Sequence, residues 1–172
     1  MKANLFQLLE SIYGNSIQIK SFETIGGGCI NENQTLKLSN GEQVFLKHNP
    51  SPPKNFFKAE TDGLLLLGKP KNGPRVPRPL GISNESNPQF LLLEYIETSA
   101  PNDEFASRFG HALAEMHRET QEQYGLDHDN FIGTNVQKNN LESDGLVFFR
   151  EHRIRFQQEL ARKTRGLPTS ID

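Results

Sequence analysis

The sequence predicts an α+β protein, in which an antiparallel sheet with one main helix is followed by a helical part. Alternating apolar residues and a hairpin signal are typical of strands, and they dominate residues 1–97. Residues 98–172 show mainly the spacing of helices. Because runs of strands followed by runs of helices are typical of α+β folds, we expect a sheet lobe over 1–97 and a helical lobe over 98–172.

The first lobe is expected to open with a helix, because apolar residues recur on one helical face from Leu5 to Ile12 and Gly14 follows. Asn40-Gly41 predicts a two-residue hairpin between two strands. The expected strands are 17–22, 35–38, 43–47, 80–82 and 89–96, with a helix over 54–68.

The second lobe is expected to begin after a linker at 98–102. Apolar residues share one helical stripe from Phe105 to Met116, with Asn102 or Asp103 as the expected N-cap. We expect a loop over 117–140 and a last helix over about 144–164, and no strands beyond residue 97.

Composition excludes several classes of protein. The 172 residues are 34% hydrophobic and 23% charged, which is typical of a folded globular chain. A net charge of -2 gives no basic excess for nucleic-acid binding, and one cysteine excludes an internal disulfide framework. No apolar run is long enough to span a membrane, and the N-terminus shows no signal peptide, so we expect a cytoplasmic protein without a membrane partner.

A phosphate-binding site is predicted from three features that follow one another along the chain. Gly26, Gly27 and Gly28 lie between two predicted strands, where glycines let backbone N–H groups approach phosphate oxygens. Lys47 on the third strand can contact phosphates, and Glu60 on the next helix can hold its ammonium extended. Each feature alone also fits an ordinary turn or a solvated side chain, but their order favours phosphate binding.

Two neighbouring segments allow more than one interpretation. The strand that ends at Leu93, Glu94, Tyr95 and Ile96 can offer backbone groups to an adenine edge, although it also fits a buried strand with a polar end. Cys29 follows the glycines, where backbone donors would stabilise a thiolate and make it redox-sensitive or able to form an intermolecular disulfide. A small, partly buried thiol is the alternative.

Other patterns favour structural interpretations. Gly63 to Lys69 spells a Walker A motif, but its variable positions are helical leucines and Pro70 stands where that motif needs Ser or Thr. The histidines form no metal set, so no metal site is expected within the chain. Asp127, Asp129 and Asn130 can contact a polyol or a cation, although a turn is the simpler interpretation.

Eight segments resemble the fructosamine (ketosamine) kinase family, which is related to the aminoglycoside and choline kinases. They occur in the family's order over nearly the whole chain. The segments are GGGCINE (26–32), VFLK (44–47), FKAETDGLLLL (57–67), VPRPLG (76–81), FLLLEYI (90–96), LAEMHR (113–118), YGLDHDNFIG (124–133) and FFREHRIRFQQEL (148–160).

The resemblance implies a protein-kinase-like fold and phosphorylation of the sugar 3-hydroxyl of ketosamines by ATP with Mg²⁺. The acceptors would be small ketosamines or glycated proteins, whose amines are restored once the 3-phosphate leaves. By the same resemblance, Gly26, Gly27 and Gly28 would form the phosphate loop, Lys47 would bind phosphates with Glu60 as its partner, and residues 93–96 would be the adenine hinge. Cys29 matches a cysteine of the family's phosphate loop, which favours the redox role. An intermolecular disulfide through this unpaired thiol would join two chains into a homodimer.

The family's catalytic segment, HGDLWSGN, has no counterpart in these residues. We therefore expect the general base and the Mg²⁺ ligands outside this chain, which we predict to be an incomplete fragment and inactive alone. Two alternatives remain. One is another small-molecule kinase of the aminoglycoside or choline type, and the other is a non-catalytic, pseudokinase-like interaction fragment.

Overall fold

A five-stranded antiparallel sheet organises the first part of the computed structural model, which describes residues 2–27, 30–83 and 88–166. The strand order is β1-β2-β3-β5-β4. The strands are β1 (Ile19–Ile25), β2 (Glu32–Leu38), β3 (Gln43–Asn49), β4 (Pro79–Ser83) and β5 (Gln89–Glu94). The helices of this part are α1 (Lys2–Tyr13), α2 (Phe56–Leu67) and α3 (Phe105–Met116). The predicted mixed α+β class is confirmed.

The chain separates into two compact units, Met1–Glu119 and Thr120–Asp172. The second unit contains a two-stranded sheet and a long helix. Its elements are β6 (Asn130–Ile132), β7 (Asn135–Gln137), α4 (Gly145–Phe148), a π-helical segment (Phe149–Arg155) and α5 (Phe156–Arg165). The boundary predicted at residue 97 separates an expected ATP-binding lobe from an expected helical lobe, and this division stays a prediction.

The hairpin between β2 and β3 fixes the register of the central strands. The amide of Leu38 donates to the carbonyl of Glu42 at 2.8 Å, and Gly41 has a φ of +91°. This bond closes a three-residue loop in which glycine takes the last, left-handed position. The hairpin was predicted at the right place, but its two-residue length was wrong, because Gly41 occupies the third position of the turn.

One face of the sheet forms the core of the first unit. Paired residues of neighbouring strands share a face, and successive residues of one strand alternate between faces. Leu9 of α1 is completely buried against this face. The buried strand residues of this core are Leu36, Leu38, Val44, Leu46, Phe90 and Leu92.

The opposite face carries polar groups among its apolar residues. Strand pairing places Ile25, Asn33, Lys47 and Leu91 in one row across β1, β2, β3 and β5. This row lies on the face opposite to the α1 core, because Lys47 alternates with Leu46 and His48 along β3. Helix α2, which contacts β4 and β5, provides the partner of Lys47.

Helix α3 lies where the sequence predicts it, but its N-cap differs from the prediction. No residue of it is buried, and Phe105 and Phe109 of the predicted stripe are 53% and 46% exposed. Its N-cap is Glu104, which makes no side-chain capping bond, so the predicted caps Asn102 and Asp103 were wrong. Asn102 contributes its backbone instead, since its carbonyl accepts from the amide of Phe105 at 3.0 Å.

The segment predicted as a loop over 117–140 contains the hairpin β6-β7, so the expectation of helices only beyond residue 97 was wrong. Residues Gly133 and Thr134 connect the two strands, and Gly133 has a φ of +63°. Strands of three residues are too short to show alternation in a sequence. The last helix lies where the sequence predicts it. The structure adds its cap, since the Asp144 carboxylate accepts from the amides of Leu146 and Val147.

A buried polar network holds the hairpin segment against the last helix within the second unit. Arg153 donates to the carbonyl of Lys138 and to Oδ1 of Asn139, which is only 2% exposed. The guanidinium also lies 4.4 Å from the ring centre of Phe148, and burial lowers the pKa of Arg153. This network gives Arg153 a structural role within the second unit.

Across the part of the chain that the structure describes, every helix is too short or too polar to cross a membrane. The cytoplasmic location stays a prediction.

Candidate functional site

An ion pair between β3 and α2 forms the centre of the candidate site. The Nζ atom of Lys47 lies 2.5 Å from Oε1 of Glu60, and the two side chains are 21% and 27% exposed. The pair is therefore half-buried, and the lysine is held towards α2 while part of its side chain stays accessible. The contact predicted between Lys47 and Glu60 is present.

The position of Glu60 follows from the burial of α2. Phe57 is completely buried, and Glu60 lies three residues further along the same helix. Residues three apart are neighbours on a helix surface, so the burial of Phe57 also turns Glu60 towards the sheet. The helix begins after Asn55, which takes a left-handed φ of 63° and redirects the chain after Pro50, Pro52 and Pro53.

The glycine segment begins directly beyond the row of residues that contains Lys47. Gly26 follows Ile25, the last residue of β1, and Gly27 has a φ of +104°, which favours glycine. The side-chain amide of Asn33 donates to the carbonyl of Gly27 at 3.2 Å. Since Asn33 pairs with Lys47 in the sheet, this bond holds the start of the glycine segment beside the lysine strand.

Gly28 and Cys29 lie outside the described residues. The phosphate-loop role of Gly28 and the redox role of Cys29 therefore stay predictions. The predicted homodimer through Cys29 finds no support in the structure.

The predicted adenine hinge lies where β5 leaves the sheet. Leu93 is buried and Glu94 is the last residue of the strand, so Tyr95 and Ile96 lie beyond it. The Glu94 carboxylate accepts hydrogen bonds from the Arg75 side chain and the Arg78 amide. The hydrogen bond from Arg75 lowers the pKa of Glu94, which keeps this carboxylate ionised. Its side chain therefore fixes the connector at 75–78 against the end of β5.

Residues 127–130 serve the structure of the second unit. Asp129 pairs with Lys138 at 2.5 Å, and Oδ1 of Asn130 accepts from Gln137 and Asn139. Of the two interpretations of this segment, the structural one accounts for these bonds. A cavity of about 550 Å³ lies beside them within the same unit.

In the described ranges, no three His, Cys, Asp or Glu side chains are grouped so that they could hold a metal ion.

Two asparagines were missed by sequence reasoning. Asn33 binds the carbonyl of Gly27, just before positions 28 and 29. Asn49 binds the chain just after these positions, through the carbonyl of Ile30 and the side chain of Asn31. Periodicity does not reveal such contacts, since a strand residue with a polar side chain looks the same whether it faces solvent or a loop.

The arrangement defines a class of protein. An antiparallel sheet, a glycine turn after its first strand, a lysine on the third strand and a glutamate on the following helix form the small lobe of a kinase-like fold.

Comparison with known proteins gives the family. The model of the fructosamine kinase family matches residues 1–172. A protein of Enterococcus faecium named "Probable ketoamine kinase" is 37% identical over 138 residues, which are 80% of this chain and 47% of that protein. A rice protein (Oryza sativa subsp. indica) named "Protein-ribulosamine 3-kinase, chloroplastic" is 34% identical over 150 residues, or 86% of this chain and 43% of that protein.

Solved structures agree with this match. The crystal structure of a Haemophilus somnus protein named "Putative fructosamine-3-kinase" superposes with a TM-score of 0.83 at 31% identity, over 96% of this chain and 56% of that one. The chain belongs to the fructosamine kinase family. It spans about half the length of the relatives it matches.

Proposed function

We propose that the Lys47 face of the first unit binds ATP, and that the whole protein uses this nucleotide to phosphorylate the 3-hydroxyl of a ketosamine. The observation that carries the proposal is the Lys47–Glu60 pair, at 2.5 Å, on the sheet face beside the glycine segment. The kinase names of the relatives support the reaction, and the words "ketoamine kinase" and "ribulosamine 3-kinase" in those names support the acceptor.

Each site residue has one role in this proposal. The N–H groups of Gly26, Gly27 and Gly28 cradle phosphate oxygens, and the ammonium of Lys47 offsets phosphate charge. Glu60 holds that ammonium in place. Backbone groups of Leu93, Glu94, Tyr95 and Ile96 contact the adenine edge.

Phosphoryl transfer needs little covalent chemistry from these residues. The acceptor hydroxyl forms a bond to the γ-phosphorus, the bond to the β,γ-bridging oxygen breaks, and ADP leaves. The hydroxyl proton passes to a general base, which we propose lies in the part of the whole protein that corresponds to the remaining half of the relatives. Mg²⁺ enters as the ion that accompanies ATP.

The acceptor is tested by ADP release from the whole protein with ATP and one candidate acceptor at a time. We expect turnover with a fructosyl or ribulosyl amine, either free or on a glycated protein, and none with the matched 3-deoxy compound, which lacks the acceptor hydroxyl. Equal turnover with choline or an aminoglycoside would favour a different small-molecule kinase. A protein that binds ATP but releases no ADP with any acceptor would favour the non-catalytic interaction fragment.

A further inference from the structure

Asn33 lies between the glycine segment and Lys47 on the sheet. Strand pairing places Ile25, the residue before Gly26, on one side of Asn33 and Lys47 on the other. Paired residues of neighbouring strands share a face, so the side chain of Asn33 is on the face that carries Lys47. Its Nδ2 atom donates to the carbonyl of Gly27 at 3.2 Å. Asn33 therefore contacts the glycine segment directly.

The backbone at Gly27 needs such a contact to keep one orientation. Gly27 has a φ of +104°, and glycine adopts positive and negative φ with similar ease, so its peptide groups turn readily. Apart from chain neighbours, no atom of the described residues lies within 4 Å of the place that a Cβ would take on Gly26 or Gly27. Packing therefore leaves this backbone free to turn, and the bond from Asn33 holds the Gly27 carbonyl towards β2.

The other end of the Asn33 amide argues against a purely structural role. The carbonyl of Gly27 can only accept, so Nδ2 must face it and Oδ1 must face another direction. In the part of the chain that the structure describes, this Oδ1 atom is buried and has no hydrogen-bond partner. A buried acceptor without a partner lowers stability, so a smaller or apolar side chain would serve the fold equally well.

The orientation of this carbonyl matters for a phosphate ligand. Phosphate oxygens are negatively charged acceptors, so backbone N–H groups attract them and a carbonyl oxygen turned towards them repels them. A donor that keeps the Gly27 carbonyl towards β2 removes this repulsion before ATP binds. A peptide that is already held in place also loses less conformational freedom on binding, which raises affinity.

We propose that Asn33 is a positioning residue for the ATP phosphates, which acts by holding the carbonyl of Gly27 towards β2. This role rests on the proposed ATP site. It predicts that Asn33 contributes to ATP affinity and not to folding stability, whereas an ordinary structural residue of a strand would do the reverse.

The test measures ATP affinity by calorimetry, with Mg²⁺ present, in the whole protein and in its Asn33→Ala and Asn33→Asp variants. We expect Asn33→Ala to weaken ATP binding about three- to tenfold, the scale of one net hydrogen bond. Aspartate has nearly the same shape as asparagine, but its carboxylate cannot donate to the Gly27 carbonyl and repels phosphates. We therefore expect Asn33→Asp to weaken binding by more than about tenfold.

Two further measurements separate positioning from folding. The urea unfolding midpoint of Asn33→Ala should equal that of the wild type, because the substitution removes an unpaired buried oxygen together with one hydrogen bond. In steady-state kinetics of the same variant, the KM for ATP should rise while the KM for the acceptor stays unchanged.

Asn40→Ala is the matched control. It removes an asparagine contact at the other end of the same hairpin, where Oδ1 of Asn40 accepts from the amide of Glu42 at 3.0 Å. We expect ATP affinity equal to that of the wild type in this variant.

Wild-type ATP affinity in Asn33→Ala and Asn33→Asp, beside lost affinity in Lys47→Ala, would overturn the inference and leave the proposed function standing. Weakened binding in Asn33→Ala that is absent in Asn33→Asp would also refute it, because the shape of the side chain would then explain the effect. If Asn33→Ala fails to fold, wild-type affinity in Asn33→Asp decides against the inference in the same way. A wild-type protein that binds no ATP would remove the proposed function and this inference together.

Discussion

Replacement of Lys47 by alanine is expected to reduce phosphoryl transfer by the whole protein by roughly 10²- to 10³-fold, the usual effect of removing one preorganised electrostatic group. The ammonium is the positive group that the structure places beside the glycine segment, held there by Glu60 at 2.5 Å. ATP affinity measured by calorimetry should fall as well, because the same ammonium contacts the bound phosphates before transfer.

The fold should survive this substitution. The pair is half-buried, with side chains 21% and 27% exposed, and pairs near a surface contribute little to stability. Lys37→Ala is the matched control, since Lys37 lies on the adjacent strand and is exposed. Turnover near the wild-type rate in Lys47→Ala, with Lys37→Ala unchanged, would refute the role given to Lys47.

Phe57→Ala is expected to produce the largest loss of stability, about 3–5 kcal/mol in the free energy of unfolding. Phe57 is completely buried and makes an edge-on contact with Phe56, with ring centres 5.4 Å apart. Its removal leaves a cavity under α2, the helix that presents Glu60. Urea unfolding followed by circular dichroism measures the change.

The control for this prediction is Phe22→Ala on β1, where the side chain is exposed and the residue is 67% accessible. We expect a change within about 0.5 kcal/mol there. Equal unfolding midpoints for Phe57→Ala and the wild type would show that α2 is not anchored by this ring. The more conservative Phe57→Leu should keep the fold and test whether a loosened α2 also weakens ATP binding.

The sheet and the Lys47–Glu60 contact could be predicted because their signals are local. The hairpin at Gly41 sets the register of β2 and β3, and alternation along β3 then decides which face carries Lys47. The helix period of α2 places Glu60 one turn from a buried phenylalanine. These predictions depend only on short-range spacing along the sequence and on the residues that interrupt this spacing.

The remaining features depend on tertiary context. Amphipathic spacing predicted helix α3, but it cannot say whether Phe105 and Phe109 are covered, and the structure leaves both exposed. The Arg153 and Asn49 networks join residues that are distant in the chain and have no spacing signal. The side chains that bind the chain on either side of the glycines could therefore be found only from the structure.

Lysine acylation followed by mass spectrometry tests, without any substitution, whether Lys47 contacts the phosphates of ATP. The reagent is applied to the protein with and without ATP and Mg²⁺, and the modification rate of each lysine is compared. We predict that ATP slows the modification of Lys47, while exposed Lys37 and Lys58 are modified at unchanged rates. A rate at Lys47 that is the same with and without saturating ATP would show that Lys47 does not contact the bound phosphates.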